Sequence, residues 1–599
     1  MKFEKIIQQG VLEALSNLYF QTVDKKNIQI QNTRREFTGD LTVVVFPFLS
    51  ISRKTPEQTG QEIGAYLKTN IQQIADYNVI NGFLNIEINS SYWLKFFNTA
   101  NAKENFGIKE KTKKAETVVI EYSSPNTNKP LHLGHIRNNL LGWSIAEILK
   151  ANGKNVVKVN LVNDRGIHIC KSMLAWLKFG NGETPTSSDT KGDHLVGKYY
   201  VLFEKEYRKQ IAKLKDSGVE EKIAKEEAPI ILEAREMLRK WERNDKKTLS
   251  LWKKMNKWVY KGFDKTYTEL GVDFDKTYYE SETYKLGKSI ILNAFESRYI
   301  WMKRKKDGSI WADLTKNRLD EKILLRADGT SVYITQDIGT ANERFKDYQF
   351  NKHIYVVGNE QNYHFKVLKI VLKKLGNKWA NKLLHLSYGM VDLPSGRMKS
   401  REGFVVDADD LIAEMIITAK QTSQELGKLN DYSQAKANKV IKTVALGALK
   451  YFILKVDPKR RMLFNPQESI DFNGNTGPFI QYTYARIQSV LRKAKEQKIE
   501  FDKKVAISIS ISKKEVQLIK LIDKFPEIVT EAGKNLSPAL IANYCYELVK
   551  EYNQFYHDYS ILREEIIEFR NFRLALSNLT GRIIKTSMNL LGIDVPEKM

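Results

Sequence analysis

Three observations predict a multidomain α/β protein built around a doubly wound parallel sheet. The chain has 599 residues, more than one hydrophobic core can serve, so about two to four domains are expected. Through its middle, β-branched apolar runs alternate with helical patterns. After about Asn465 the strand patterns fade and helical periodicity remains.

Residues 1–112 mix a helical pattern, Phe3 to Phe20, with strand-like runs at Leu41 to Phe46 and Gly82 to Ile88. They predict a small N-terminal α+β domain. Lys103 to Lys114 is charged and holds few large apolar residues, as a linker does. Thr117 to Tyr122 then reads as a buried strand. Ile136, Leu140, Leu141, Ile145, Ile148 and Leu149 recur at helical spacing. Asn152-Gly153 stops that helix, and Val156 to Val162 is a second strand. Strand, helix and strand make a βαβ unit and imply a parallel sheet. The alternation resumes with a strand at Ser331 to Thr335, a helix at Ile338 to Phe345 and a strand at Ile354 to Val357. A helix at Phe365 to Leu375 and a strand at Leu384 to Met390 follow. Residues 113–465 therefore read as a Rossmann-type domain. A Lys/Glu-rich helical insertion, from about Glu204 to Lys265, separates its halves. Residues 466–599 predict an α-helical bundle, with periodic segments at Phe479 to Arg492, Lys514 to Ile522, Pro538 to Tyr556 and Phe569 to Leu591. Ser537 and Pro538 suit the N-cap and first position of the third.

The apolar share of 42% and charged share of 28% are those of a globular rather than a disordered chain. The nearest approach to a membrane span, Val444 to Val456, is broken by Lys450 and Lys455. The first turns carry Glu4 and Glu13 and lead to no small-residue cleavage site, so they read as an amphipathic helix rather than a signal peptide. Two cysteines, Cys170 and Cys545, supply neither a disulfide framework nor a thiolate zinc site. A cytoplasmic location and no membrane partner are expected. Lys+Arg outnumber Asp+Glu by 96 to 71, a formal charge of +25. That excess suits a polyanionic partner, although a Lys-rich solvated surface would produce it too.

Two loops carry chemistry. The first, Ser123-Ser124-Pro125-Asn126-Thr127-Asn128-Lys129-Pro130-Leu131-His132-Leu133-Gly134-His135, runs from the first strand into its helix. Helix N-termini favour phosphate. His132 and His135, three apart, point to one side and can donate to phosphate oxygens. Gly134 leaves room for a flat base near the backbone. A pair of packing histidines is the plain alternative; the place at a βα crossover favours a nucleotide. The second loop, Asp392 to Gly403, holds Arg397, Lys399 and Arg401 between Gly396 and Gly403. Such a loop can close over polyphosphate, or be an ordinary solvated turn.

Together these loops resemble the paired HIGH and KMSKS signatures of class I aminoacyl-tRNA synthetases. The chain resembles the arginyl-tRNA synthetases over most of its length: IEYSSPNTNKPLHLGHIRN, VNLVNDRGIHICKSMLA, LRADGTSVYITQDI, VVGNEQNYHF, GPFIQYTYARI and the terminal LLGIDVPEKM. The resemblance implies adenylation of L-arginine by ATP, then transfer to the terminal adenosine of tRNA-Arg. It implies His132, Gly134, His135 and Met398 at ATP, and Arg397, Lys399 and Arg401 in the mobile loop. Mg²⁺ would arrive with ATP, and no tightly bound protein metal is expected. Arg397-Met398-Lys399-Ser400-Arg401 departs from KMSKS, placing Arg at the first lysine and Ser400 at the second. In such members a lysine just before the first signature compensates. Lys129 fits that place, with Lys399 the competitor.

Guanidinium matches carboxylates bidentately. The resemblance implies Glu121, Glu280 and Asp337 in the arginine pocket, walled by Tyr333 and Gln361, with Ser124 and Asn126 on the α-amino and carboxylate groups. Each has a plain alternative: Glu121 as a backbone cap, Asp337 as a helix cap, Tyr333 as core. Aromatics and cations interleave near the C-terminus, with Tyr482 and Arg486 in one helix and Tyr544 in another. Unpaired anticodon bases stack on such aromatics. The resemblance further implies a monomer whose activation step depends on tRNA. His194, His353, His385 and His557 read as structural, and His168 and His364 carry no assigned role.

Overall fold

The computed structural model describes every residue except 1, 35, 393–405, 426–431 and 503. Five parallel strands form the central sheet in the order Leu383–Tyr388, Lys352–Gly358, Thr117–Glu121, Asn155–Val162, Lys276–Tyr279. Val118, Val119 and Ile120 are buried, because helices cover both faces of a doubly wound sheet. The chain steps outward from Thr117–Glu121 to one side, then returns to its other side at Lys352–Gly358. The order reverses there, and the crevice beyond the strand ends at such a reversal is where ligands bind.

The helix Leu133–Ala151 follows the first strand and ends at Asn152 and Gly153, whose φ of +77° closes the turn. Five helices, Ile167–Phe179, Gly192–Asp216, Glu221–Glu227, Pro229–Glu242 and Lys246–Leu270, separate the second strand from the third. The predicted helical insertion lies among them. A three-stranded antiparallel sheet, Met302–Arg304, Ile310–Ala312 and Lys322–Leu325, precedes the return to the parallel sheet.

One predicted strand is a helix. Ser331 to Thr335 contributes a single bridge, Ser331 to Leu325, and the helix Tyr333–Tyr348 starts inside it. Its β-branched residues are overridden by packing. The Thr335 hydroxyl donates to the Leu324 carbonyl, and the helix crosses Glu280–Glu296 where Gly339 meets Gly287.

By its contacts the chain divides into two units. One comprises Met1–Phe106, Ile487–Phe525 and Leu548–Ile583; the other comprises Gly107–Arg486, Pro526–Glu547 and Ile584–Met599. The first contains the antiparallel sheet Ile30–Asn32, Leu41–Val44, Phe83–Ile88, Ile74–Ile80. Within this unit Asn98 exchanges two hydrogen bonds with the Val505 backbone, both 2.9 Å, and Arg582 donates to the Asn101 carbonyl at 2.9 Å. The helices Gly477–Glu496, Lys513–Asn535, Pro538–Asp558 and Ile567–Leu590 each contribute one part to each unit. No helix among the described residues is long and apolar enough to cross a membrane.

A Cβ at Gly287 would collide with the Thr335 carbonyl oxygen. Alanine gains about 1 kcal/mol of helix propensity, but overpacking against backbone costs about 1–3 kcal/mol or more. Gly287→Ala is expected to lower the melting temperature; an unchanged or raised value would show that the crossing is loose.

Candidate active site

The loop after the first strand is held in an unfavourable backbone shape. Ser123 and Ser124 have φ of +74° and +46°, the left-handed region that costs non-glycine residues about 1–3 kcal/mol each. Four side chains fix it. The Ser123 N–H donates to Asn138 Oδ1 at 2.5 Å, and its hydroxyl meets Tyr267 OH at 2.6 Å. The Ser124 N–H donates to Asn160 Oδ1 at 3.0 Å, and its hydroxyl to Glu121 Oε1 at 2.8 Å. Asn138 also donates to the Val356 carbonyl at 2.7 Å, tying the loop to the neighbouring strand across the sheet reversal. Asn126, exposed, bridges Asn163 after the second strand.

The loop delivers two histidines to the helix start as a reciprocal cap. His132 Nδ1 accepts from the Gly134 N–H at 3.1 Å, and His135 Nδ1 accepts from the His132 N–H at 3.2 Å. Both Nδ1 atoms are acceptors, so each neutral ring carries its proton on Nε2. Burial, then the Lys129 charge, lowers the His132 pKa to about 3. Burial, His132 and Lys129 hold His135 well below the usual imidazole value. The pair thus offers two Nε2–H donors without net charge. Burial also lowers the pKa of Lys129. Arg137, on the same helix and fully buried, donates to the carbonyls of Pro458 at 3.2 Å and Arg460 at 2.7 Å.

A second cluster is acidic. Asp164 is buried and accepts from the Ser281 N–H at 2.9 Å, the Ser281 hydroxyl at 2.7 Å and the Tyr260 hydroxyl at 3.0 Å. Glu280, buried at the start of its helix, has a pKa raised to about 7. Burial is the main cause, opposed by Arg165 and reinforced by Asp164 and Asp337. Arg165 is 4.0 Å from Glu280, pairs with Glu242 at 3.1 Å and lies over the rings of Tyr284 and Trp241. Asp337 accepts from His364 Nε2 at 2.5 Å. Tyr333, 73% exposed, lies one turn before Asp337 on the same helix, and Gln361 is exposed before the helix Asn362–Lys374. Glu121 is already engaged: its second oxygen pairs with the fully buried guanidinium of Arg344.

Residues 98–465 match the family described as tRNA synthetases class I (R), catalytic domain. Residues 5–88 match the arginyl tRNA synthetase N terminal domain, and residues 480–599 the DALR anticodon binding domain. Arginine–tRNA ligases of Parabacteroides distasonis and Bacteroides thetaiotaomicron are each 58% identical over 599 residues, covering all of both chains. The chain belongs to the arginyl-tRNA synthetases. Its fold is that of the solved Thermus thermophilus arginyl-tRNA synthetase, with a TM-score of 0.75 at 24% identity over 99% of this chain and 100% of that one. The Plasmodium falciparum arginyl-tRNA synthetase structure is similar, at 0.72 and 21% over 99% of each.

In this synthetase the sequence-derived residues fall into two groups. His132, Gly134, His135 and Lys129 gather at one helix start, whereas Glu280 and Asp337 belong to the acidic cluster. Arg397, Met398, Lys399 and Arg401 lie outside the described residues. Tyr482 and Arg486 are half-buried, the guanidinium 5.0 Å from the ring centroid. Tyr544 is only 7% exposed, so its ring is core and offers no face to a base. Asp337 is in the second turn of its helix, not at the cap. Arg344, Asn138, Asn160 and Asp164 escaped the sequence reading. Arg344 follows Asp337 by seven residues on one helix face, the one local signal available.

Protein with ¹⁵N-labelled histidine should show two imidazoles that remain neutral and Nε2-protonated from about pH 8 to below pH 5. Titration of both near the ordinary value would remove the reciprocal cap.

Proposed function

We propose that this site activates L-arginine with ATP and transfers it to the 3′-terminal adenosine of tRNA-Arg. The end-to-end match with arginine–tRNA ligases carries this reading. An oxygen of the arginine carboxylate attacks the α-phosphorus, the bond to the bridging oxygen breaks, and pyrophosphate leaves. A ribose hydroxyl of the tRNA then attacks the acyl carbon and releases AMP. No protein nucleophile is required, so the protein's task is positioning and charge stabilisation.

His132 and His135 direct Nε2–H donors at phosphate oxygens, and Lys129 supplies the nearby cation. Its place beside both histidines supports Lys129 over Lys399 as the compensating lysine. Arg397, Lys399 and Arg401 add cations from the basic segment. Gly134 and Met398 border the nucleotide. Mg²⁺ comes with ATP, bound by phosphates and water. Ser124 and Asn126 hold the amino and carboxylate groups of arginine. Glu280 and Asp337 take the guanidinium, Glu121 supports it from behind with Arg344 as its own counter-ion, and Tyr333 and Gln361 form the walls. Tyr482 and Arg486 meet tRNA. The enzyme acts as a cytoplasmic monomer.

Pyrophosphate exchange into ATP, run with each amino acid with and without total tRNA, tests the reaction. Exchange with arginine alone, and only with tRNA present, is expected; exchange with another amino acid rejects the pocket.

Arginine binding favours ionised Glu280. With a pKa of about 7, the carboxylate is charged above that pH and protonated below it. The arginine KM should therefore rise as pH falls below about 7. Glu280→Gln should flatten that limb and raise KM at pH 8 by about 30-fold, the equivalent of ~2 kcal/mol for removing one partner of a buried charge pair. A variant with the wild-type profile would place the guanidinium elsewhere.

A further inference from the structure

A charged network joins the insertion to the nucleotide loop. Asp193, fully buried near the start of Gly192–Asp216, lies against Gly262 of Lys246–Leu270, where a Cβ would collide with its carboxylate. The Lys191 ammonium contacts Asp193 at 3.1 Å, Asp409 at 2.5 Å and the Thr266 hydroxyl oxygen at 2.6 Å. Asp409 accepts from the Thr266 hydroxyl at 2.8 Å and from His194 Nε2 at 3.0 Å, and His194 Nε2 is 3.4 Å from Asp407. Asp407 in turn accepts from the N–H groups of Asp409 at 2.8 Å and Asp410 at 3.3 Å. Asp193, His194 and Asp409 are close enough together to suggest a cation site, but the Lys191 ammonium already contacts two of the three.

Two contacts connect this network to His132. The Leu133 N–H donates to the Val406 carbonyl at 3.1 Å and the Ala408 N–H to the Leu131 carbonyl at 3.0 Å, so His132 and Asp407 face each other in a short antiparallel bridge. One turn beyond Asp193, a Cβ on Gly197 would meet Pro130 at 2.9 Å and the Lys129 Cα at 3.6 Å.

We propose that protonated His194, with Lys191 and Asp409, positions the nucleotide loop by clamping Asp407 and hence the Leu131–Leu133 backbone. This rests on the reading that the loop holds ATP phosphates. Three carboxylates, Asp193, Asp407 and Asp409, face Lys191 and His194. Among the described residues, Tyr267 on Lys246–Leu270 is coupled to Asp193 and Asp264, and exposed Asp410 follows Asp409. The hydrogen bond to Asp409 raises the His194 pKa above 6.5 against burial, with Asp407 and Asp193 adding to it. A raised folded pKa means the clamp is fully engaged below about 6.5 and lost as pH rises through the folded value.

The test is the ATP KM and arginine KM in pyrophosphate exchange, with tRNA, from roughly pH 6 to 9. Wild-type ATP KM should rise on the alkaline side while arginine KM does not. His194→Gln should raise ATP KM about fivefold at pH 6.5 and abolish that alkaline rise. His194→Lys should restore a low, pH-independent value. Unchanged ATP KM in a folded His194→Gln, equal rises in both KM values, or no rescue by lysine each overturns the clamp. If His194→Gln does not fold, a flat wild-type ATP profile overturns it instead. His132→Asn separates the two readings. Unimpaired exchange there rejects the nucleotide loop itself, whereas impaired exchange beside a normal His194→Gln rejects the clamp alone.

Discussion

The turn at Ser123 and Ser124 is where the site is assembled, and most of the surrounding polar chemistry exists to hold it. Two successive non-glycine residues at positive φ are stable only if the surroundings over-determine them. Asn138, Asn160, Tyr267 and Glu121 do so from four different elements. Two of those residues are themselves constrained: Asn138 by the Val356 carbonyl and Glu121 by Arg344. The strain keeps the loop out of extended structure and turns it into the helix that begins at Leu133. Without that turn the two histidines would not reach the sheet reversal.

The electrostatics of the two halves are complementary. The helix-start side is built from neutral donors with one partly buried lysine beside them. Charging either histidine would require putting a cation into a desolvated position next to Lys129, and burial opposes this most strongly. Directed N–H dipoles stabilise charge that develops on phosphate without reorganising during reaction. The acidic side is the reverse. Burial, reinforced by Asp164 and Asp337, raises the Glu280 pKa to about 7, so a cation placed beside it would favour the ionised carboxylate.

Much of this was legible in the chain. Continuous β-branched runs such as Thr117 to Tyr122 mark strands buried on both faces, and the apolar spacing after Ile136 marks the helix that covers them. What failed was local propensity at Ser331 to Thr335, where packing against Glu280–Glu296 decided for helix. The short strands between Met302 and Leu325 gave too little pattern to read. The polar network around the site was hidden for a different reason. Glu121 and Arg344 are 223 residues apart, His194 and Asp409 215 apart, and no periodicity links residues that only tertiary folding brings together.

The same limit applies to the terminal segment LLGIDVPEKM, whose role becomes physical only in the fold. Ser144, on the helix that His132 caps, donates to the Leu590 carbonyl at 2.7 Å. Gly592 packs against Trp143, where an added Cβ would lie 3.0 Å from the indole ring. Lys450, buried so that its pKa falls to about 8, donates to the Gly592 carbonyl at 2.5 Å, and Gln481 donates to the Asp594 carbonyl at 2.8 Å. These bonds give three backbone carbonyls of the terminal segment side-chain donors. The helix Leu133–Ala151 is thus held at three places: by the histidine cap at its start, by Arg137 and Asn138 in its first turns, and by the segment around Leu590 and Gly592 at its middle. A helix held at three places can present two imidazoles in fixed orientation. Such preorganisation is the main contribution available to an enzyme whose reaction needs no protein nucleophile.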